Sequence, residues 1–318
     1  MKTTQTMTYD INVVAVGHHV PESVVTNDDL AKTVETSDEW ITTRTGIKER
    51  RFSKGETSAD LAHKAALDAI SRYAIDKETI DLIIVATITE PQKTPSTANM
   101  VQGMLGLTHD VMGFDINAAC TGFLYALETA SALLSGKRFR RALVIGSEHL
   151  SKVTDMTDRN TCVLFGDGAG AMIIERGDAS TGATFLNKSL YDTEGSLTVT
   201  DAIRMDGRKV YQFATSAMAG AIREILETTS LSKEDISMVV SHQANIRIIE
   251  SVAKTMGFPM SLFPTNIDMY GNTSAASIPI LLSELAAQGR LAFQRILMVA
   301  FGGGFTWGSA VLMFGGLS

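Results

Sequence analysis

Cys120 is the residue of this sequence best placed to act as a nucleophile. It lies in the segment Asp115-Ile-Asn-Ala-Ala-Cys-Thr-Gly-Phe-Leu, where an apolar run with small residues stops and apolar residues then recur at helical spacing. The pattern predicts a turn between a buried strand and a helix, with the thiol near the helix N-terminus. The backbone amides and the dipole at such a terminus favour the thiolate, which is the nucleophilic form. A free cysteine is as often a buried structural residue, so this one needs partners before chemistry is assigned.

Two other polar residues, His242 and Asn272, have a similar setting. His242 follows the apolar run 236–240 and precedes a helical pattern, and Asn272 lies among small residues in Tyr270-Gly-Asn-Thr-Ser-Ala-Ala-Ser, before another helical pattern. Alone, the histidine would more often be a hydrogen-bonded structural residue and the asparagine a turn or cap residue. A cysteine, a histidine and an asparagine at such positions fit a single site at the carboxyl edge of a sheet.

These segments, together with four others, resemble the β-ketoacyl-acyl carrier protein synthase III family, the initiating condensing enzymes of bacterial type II fatty acid synthesis. The other matching segments are Thr36-Ser-Asp-Glu-Trp-Ile41, Arg44-Thr-Gly-Ile47, Phe165-Gly-Asp-Gly-Ala-Gly170 and Phe301-Gly-Gly-Gly-Phe-Thr-Trp-Gly308. The matches follow one another in order from about Ile11 to Phe314. Each motif is weak by itself, and the combination is specific.

An internal repeat in the sequence indicates the architecture that would position these residues. The runs 81–87, 141–146 and 168–174 are similar to the runs 235–241, 295–302 and 307–313. The first two pairs are offset by about 155 residues, which is far too long for a solenoid repeat and indicates two similar α/β halves. Strand-like runs such as 82–86 are apolar without alternation, as expected for strands buried on both faces. We therefore expect helices on both sides of mostly parallel sheets.

The resemblance implies the same architecture, namely a thiolase-like α/β fold with two pseudo-duplicated halves in five layers (α-β-α-β-α). We expect residues 1–165 to form the N-terminal half, which carries Cys120. Residues 166–318 would form the C-terminal half, which carries His242 and Asn272. The site would then lie between the halves. The polar stretch 187–200 has no periodic pattern, and we interpret it as an inserted surface loop.

Composition limits the remaining choices. The chain has 318 residues, of which 45% are hydrophobic and 20% charged, so it can bury a large core. Its formal net charge of −7 argues against a general nucleic-acid binder. The two cysteines, Cys120 and Cys162, indicate neither a disulfide framework nor a zinc site, and we expect Cys162 to pack in the core. Residues 1–10 lack an apolar signal core, and no apolar run approaches the ~20 residues of a membrane span. The expected location is therefore the cytoplasm, with no membrane partner.

The resemblance also implies a sequence of steps. Cys120 takes an acyl primer from acyl-CoA as a thioester, CoA leaves, and malonyl-acyl carrier protein enters. His242 and Asn272 donate hydrogen bonds to the malonyl thioester oxygen while carbon dioxide leaves, because the resulting enolate carries negative charge there. The carbanion attacks the acyl-Cys120 carbonyl, and 3-oxoacyl-acyl carrier protein is released. The backbone amides of Cys120 and Gly303 would form the oxyanion hole, and no metal or other cofactor is implied.

Further positions correspond to the family's substrate-binding residues. The positions that match CoA contacts are Trp40, Arg44, Arg159, Gly207, Ala244 and Asn245. An exposed indole beside arginines suits an adenine ring next to phosphates, although without the resemblance ordinary packing of Trp40 and solvated arginines would be the commoner explanation.

The resemblance places carrier-protein docking at Gln243 and Arg247. Gln212 stands where another docking position is usually lysine, which leaves the footprint of the acyl carrier protein open. Thr94 and Leu164 match acyl-pocket positions, and Thr94 would border the pocket of the neighbouring subunit in a homodimer.

Related activities on the same fold remain alternatives, chiefly an acyltransferase or a secondary-metabolite ketosynthase. A degradative thiolase needs a second cysteine near the C-terminal glycines, and residues 302–307 contain none. A hydroxymethylglutaryl-type synthase needs a catalytic glutamate, which we do not find at a matching position. A non-catalytic chain-length factor would lack the cysteine that is present here. The sequence leaves the primer open among acetyl, longer straight and branched chains.

Overall fold

The computed structural model describes residues 7–177 and 182–317. The strands are β1 (Thr8–His19), β2 (Val24–Thr26), β3 (Glu49–Arg51), β4 (Leu82–Ala86), β5 (Met112–Ile116), β6 (Arg141–Glu148), β7 (Gly168–Arg176), β8 (Gly182–Ser189), β9 (Leu197–Val199), β10 (Ile203–Met205), β11 (Met238–Ser241), β12 (Arg295–Gly302) and β13 (Thr306–Met313). The helices are α1 (Asn27–Leu30), α2 (Asp38–Thr45), α3 (Ser58–Arg72), α4 (Thr97–Met104), α5 (Gly122–Ser135), α6 (Arg159–Cys162), α7 (Gly207–Thr229), α8 (Ile246–Met256), α9 (Ile267–Tyr270) and α10 (Ser277–Ala287).

A continuous sheet of nine strands runs through the molecule in the order β11-β12-β13-β8-β1-β7-β6-β4-β5. Outward from β1 the order is β7-β6-β4-β5, and outward from β8 it is β13-β12-β11. We call these two series of strands the arms of the sheet. Each arm contains a parallel pair, β4 with β6 and β11 with β12, and the next strand inward, β7 or β13, is antiparallel to its neighbour in that pair. This repeated order is what an internal duplication would produce. The division at residues 165 and 166 stays a prediction, and β7, just beyond it, pairs with β1 and β6.

Successive residues of the central strands face different hydrophobic cores, as the pleat of a strand requires. In β4, Leu82 and Ile84 belong to a central core, while Ile83 and Val85 belong to an outer core. The central core holds α5 and α10, and this outer core holds α3 and α4. The second outer core holds α7 and α8, and β12 alternates between it and the central core. The layer order is therefore α-β-α-β-α, which confirms the predicted five layers.

The stretch 187–200 differs from its interpretation as a surface loop. It begins in β8 and contains β9, whose residues Leu197 and Val199 line a cavity beside Cys120. Its polar residues stabilise the turn that precedes β9, where the backbone N–H of Ser196 donates to the Asp192 carboxylate at 2.6 Å. Residues 190–196 do form a mostly exposed loop, and the prediction is wrong for the two ends, because three residues in a strand are too few to show a period.

Among the helices of the described ranges, none has the length and apolar character that crossing a lipid bilayer requires.

Candidate active site

Cys120 lies in a 3-10 turn, Ala119–Thr121, between β5 and α5. This is the predicted strand–turn–helix arrangement. Ala119 has a φ of +48°, a left-handed conformation that costs an alanine on the order of 1–3 kcal/mol and persists where the surroundings hold it. The hydroxyl of Thr306, at the start of β13, donates to the Ala118 carbonyl at 3.0 Å and holds the turn from the other half of the fold. The nucleophile is thus fixed by both arms of the sheet.

The end of β12 approaches the same turn so closely that residue 302 must be glycine. A Cβ at Gly302 would lie 2.7 Å from the Cys120 backbone nitrogen and 3.2 Å from the Ala119 Cβ. The approach brings the next residues beside the thiol, and Gly303 and Gly304 line a cavity together with Cys120. The backbone amides of Cys120 and Gly303, predicted to form an oxyanion hole, therefore belong to one cavity.

His242, directly after β11, is only 1% exposed, and its ring is held by Ser277. Its Nδ1 lies 2.7 Å from the Ser277 hydroxyl, which also accepts the Gln243 backbone N–H at 3.4 Å. We assign the tautomer in which the Ser277 hydroxyl donates to Nδ1 and the ring proton lies on Nε2. Burial lowers the pKa of His242 to about 3, so the ring is neutral. Nε2 is buried and has no hydrogen-bond partner in the described ranges.

Asn272 is fixed through both its backbone and its side chain. Its N–H donates to the Leu164 carbonyl at 2.8 Å, and its own carbonyl accepts from Gly166 at 3.0 Å. Its Oδ1 accepts the Ser274 N–H at 2.8 Å, which orients the amide and directs the NH₂ group away from that contact. Asn272, His242 and Cys120 all line one cavity of about 130 Å³. The structure thus brings the three predicted catalytic residues together.

The ionisation of Cys120 differs from the expectation drawn from its helix. Burial raises the pKa of the Cys120 thiol to about 12; a hydrogen bond from Ser274 acts in the opposite direction, and the Glu148 carboxylate adds to the rise. The residue is partly exposed, while the sulfur itself is enclosed. The expectation of a favoured thiolate is therefore wrong, because desolvation of the sulfur outweighs the hydrogen bond that favours the charged form.

A second, larger cavity of about 390 Å³ opens on the other side of Cys120. Its apolar lining residues are Ile88, Leu150, Val153, Phe165, Leu197, Val199 and Ile203. Leu164, predicted for the acyl pocket, lines the smaller cavity with His242 instead. Thr94 is exposed and lines neither cavity of its own chain.

The predicted CoA-binding residues fall into two groups. Gly207, Ala244 and Asn245 line the smaller cavity. At the surface, the Trp40 ring centroid lies 4.6 Å from the Cζ atom of Arg44 and 5.1 Å from that of Arg159. Both arginines are exposed, so their donors can reach a phosphate. We call Trp40, Arg44 and Arg159 the Trp40 cluster.

The predicted docking residues have different environments. Arg247 is exposed beside the Trp40 cluster, with its Nε donating to the Thr43 carbonyl at 3.1 Å, and Gln212 is exposed on α7. Gln243 is 1% exposed; its amide donates to the Ser241 carbonyl at 2.8 Å and accepts the Asn266 N–H at 3.3 Å. The Gln243 side chain is thus used inside the protein, and its role in docking stays a prediction.

Sequence reasoning missed Ser274, Ser277 and Glu148. Both serines lie in the small-residue segment after Asn272, where nothing in their type separates them from packing residues. Glu148 ends β6 and is fully buried. An acidic residue three positions after the apolar run 142–145, within the same strand, was the signal that could have identified it. No cluster of three or more potential metal-ligating His, Cys, Asp or Glu side chains occurs in residues 7–177 and 182–317.

The five-layer fold and the cavity shared by Cys120, His242 and Asn272 define a thiolase-like α/β protein. The crystal structure of 3-oxoacyl-[acyl-carrier-protein] synthase III from Aquifex aeolicus superposes with a TM-score of 0.93 at 44% identity, over 96% of this chain and 100% of that chain. The priming β-ketosynthase from the R1128 polyketide biosynthetic pathway gives a TM-score of 0.91 at 30% identity, over 99% of both chains.

Sequence comparison defines the family within that class. The family model for 3-oxoacyl-[acyl-carrier-protein] synthase III matches residues 114–194, and the model for its C-terminal part matches residues 226–314. The β-ketoacyl-[acyl-carrier-protein] synthase III of Acholeplasma laidlawii is 51% identical over 304 residues, which cover 95% of this chain and 98% of the relative. That of Clostridium acetobutylicum is 46% identical over 321 residues, with coverages of 95% and 98%. The chain therefore belongs to the 3-oxoacyl-[acyl-carrier-protein] synthase III family, as its motifs predicted.

Proposed function

We propose that this protein initiates fatty acid synthesis. It transfers an acyl primer from acyl-CoA to Cys120 and condenses it with malonyl-acyl carrier protein, with loss of carbon dioxide, to give 3-oxoacyl-acyl carrier protein. Family membership supports the reaction. The observation in this chain that carries the proposal is the single cavity that Cys120, His242 and Asn272 line, with a neutral imidazole and a neutral amide as its possible donors.

The neutral state of His242 suits decarboxylation. Loss of carbon dioxide moves negative charge from the malonyl carboxylate to the thioester oxygen. A cationic histidine would also stabilise the carboxylate that must leave, whereas a neutral donor at the oxygen strengthens mainly as the enolate forms. The Asn272 amide is neutral at every pH. Together the two donors stabilise the transition state more than the ground state.

The two cavities divide the substrate between them. The apolar part of the larger cavity suits the acyl chain, and the smaller cavity, lined by Gly207, Ala244 and Asn245, suits the pantetheine arm. The Trp40 cluster then holds the adenine ring and the phosphates of CoA, and Arg247 contacts the acidic carrier protein. The roles of Cys120 and Gly303 in the oxyanion hole, and of Leu164 and Thr94 beside the acyl chain, belong to the same proposal. No metal or other cofactor takes part.

The protein acts as a cytoplasmic homodimer in this proposal. β5 is the last strand of the sheet and is paired on one side only, with β4, among the described residues. An open edge of this kind is a surface on which a second copy can extend the sheet. The exposed Met112 and half-buried Phe114 and Ile116 lie on this strand. The segment Glu90–Ser96 would then border the partner's acyl pocket. Light scattering of an active protein tests this, and an active monomer of 34.2 kDa would contradict it.

The similarity to a priming β-ketosynthase of a polyketide pathway favours a second candidate, the same condensation in a secondary-metabolite pathway. An assay with malonyl-acyl carrier protein and a panel of acyl-CoA primers tests the proposal. We expect a 3-oxoacyl-acyl carrier protein product with at least one short primer. Acylation of Cys120 without condensation for every primer would favour the alternative of a simple acyltransferase.

A further inference from the structure

A fully buried carboxyl group, that of Glu148, lies behind the nucleophile and has no part in the mechanism above. Its Oε2 accepts hydrogen bonds from the Ile88 N–H at 3.1 Å, the Thr89 hydroxyl at 2.7 Å and the Thr87 hydroxyl at 3.4 Å. Its Oε1 accepts from the Ser274 hydroxyl at 3.0 Å. Within residues 7–177 and 182–317, no cation pairs with it. Burying an ionisable carboxyl group without a counter-ion costs free energy of folding, and such groups are frequent at functional sites.

Ser274 connects this carboxyl group to the nucleophile. Its hydroxyl donates to Glu148 at 3.0 Å, and Ser274 lines the larger cavity together with Cys120, whose thiol pKa it lowers. A serine hydroxyl can accept one proton while it donates its own. A thiol that donates to this hydroxyl is therefore linked through it to the carboxyl group.

We propose that Glu148 accepts the proton of the Cys120 thiol, through the Ser274 hydroxyl, as the sulfur attacks the acyl-CoA carbonyl. The S–H bond breaks and the sulfur electron pair forms the new C–S bond. Ser274 receives the thiol proton and passes its own to Glu148. CoA leaves as a thiolate and takes a proton from water. When condensation later releases the Cys120 sulfur as a thiolate, the proton returns from Glu148 by the same route. This step rests on the proposed function.

The electrostatics of the site require such an acceptor. Burial raises the pKa of the Cys120 thiol to about 12, so hardly any thiolate exists at neutral pH without help. Burial also raises the pKa of Glu148 to about 7, which suits a group that must take and return a proton near that pH. His242 cannot replace it, because its Nε2 already carries the proton and its Nδ1 is bonded to Ser277.

The surroundings of Glu148 contain little else that titrates. The residues after β4 contribute only hydroxyl and amide groups, and the turn after Asn272 contributes only Ser274. The turn 119–121 contributes the Cys120 thiol, whose pKa senses the carboxylate. His149, the next residue in the chain, has its Nε2 3.9 Å from the Asp167 carboxylate. A pH response of acylation near pH 7 can therefore be assigned to Glu148 by mutation.

The test measures acylation of Cys120 in single turnovers, by mass spectrometry, from about pH 5.5 to 9. Glu148→Gln removes the acceptor, and Ser274→Ala breaks the path while keeping the backbone N–H that orients Asn272. Thr87→Val is the matched control, since it removes a buried hydroxyl beside Glu148 outside the path. We expect the wild type and the control to show a rate that rises with pH and levels off above about 7. Both test variants should lose this inflection and react roughly 100-fold more slowly at pH 7.

Two further readouts separate a relay from a structural defect. Carbon dioxide release from enzyme acylated to completion beforehand should stay within about threefold of the wild type, because His242 and Asn272 perform that step. Alkylation of Cys120 by iodoacetamide should lose the same inflection, and it needs no acyl-CoA. If alkylation depends on Glu148 while no acyl-CoA acylates the wild type, the proposed function fails and the relay stands. Test variants that keep the wild-type inflection in both acylation and alkylation would overturn the relay, whether their rates are unchanged or uniformly reduced.

Discussion

The Ser277 hydroxyl lies 2.7 Å from His242 Nδ1 and thereby selects which ring nitrogen of the histidine carries the proton. Since Nδ1 accepts from Ser277, Nε2 is the donor on the cavity side. The orientation of the His242 ring thus depends on a residue 35 positions away, at the first turn of α10. This hydrogen bond therefore gives a way to change the proposed decarboxylation step without changing acylation, because it orients a donor to the enolate oxygen and does not involve the Cys120 thiol.

Replacement of Ser277 by alanine should slow decarboxylation and leave acylation unchanged. Without the hydroxyl, either nitrogen of the His242 ring can carry the proton, and we expect carbon dioxide release to fall about tenfold. Ser283→Ala is a matched control, because Ser283 lies on the same helix and its hydroxyl is 2.9 Å from His18 Nδ1, outside the site. Equal losses of acylation and decarboxylation in Ser277→Ala would contradict the assignment.

His242→Ala and Asn272→Ala should each still form the acyl-enzyme at Cys120. Each variant loses one donor to the enolate oxygen, so we expect decarboxylation to fall roughly 100- to 1,000-fold. Single-turnover experiments with acyl-CoA and then malonyl-acyl carrier protein measure the two steps separately. The roles would be reversed if acylation failed and carbon dioxide release continued.

The Trp40 cluster should contribute to binding more than to the chemical step. Arg44→Ala and Arg159→Ala are expected to raise the KM for acyl-CoA about tenfold with a smaller change in kcat, since the nucleotide is held alike in the ground and transition states. Arg138→Ala is the control; its guanidinium Cζ lies 5.0 Å from the Phe139 ring, so it loses the same kind of contact away from both cavities. A KM unchanged in both test variants would place the nucleotide elsewhere.

Glu148 should make stability depend on pH. Burial raises its pKa to about 7 from the usual value of 4.5, so the folded protein binds this proton more tightly than the unfolded chain. Its stabilising contribution is therefore fully present below about pH 4.5 and is lost as the pH rises through about 7. Relative to Glu148→Gln, whose side chain stays neutral, the wild type should lose on the order of 3 kcal/mol over that range. Urea unfolding of both proteins at several pH values measures the difference, and a difference independent of pH would exclude the shifted ionisation.

The sequence predicted the parts of this structure that depend on local pattern. The helical spacing after Cys120 and the apolar runs before His242 placed both residues at strand ends, and both lie there. The features that the sequence did not reveal depend on contacts between distant parts of the chain. Gln243 is buried because Asn266, which binds its amide, comes from a segment more than twenty positions away in the chain. The high pKa of the Cys120 thiol follows from enclosure by several elements, which a helix terminus does not reveal.

The location of the acyl group tests the central claim most directly. After the protein is mixed with acyl-CoA, peptide mass spectrometry should find the acyl mass on the peptide that contains Cys120. Addition of malonyl-acyl carrier protein should then remove it and yield an equal amount of 3-oxoacyl-acyl carrier protein. Cys120→Ala should abolish both events. An acyl group on Cys162, which is fully buried and lines neither cavity, or an acyl-Cys120 that malonyl-acyl carrier protein cannot discharge, would contradict the account.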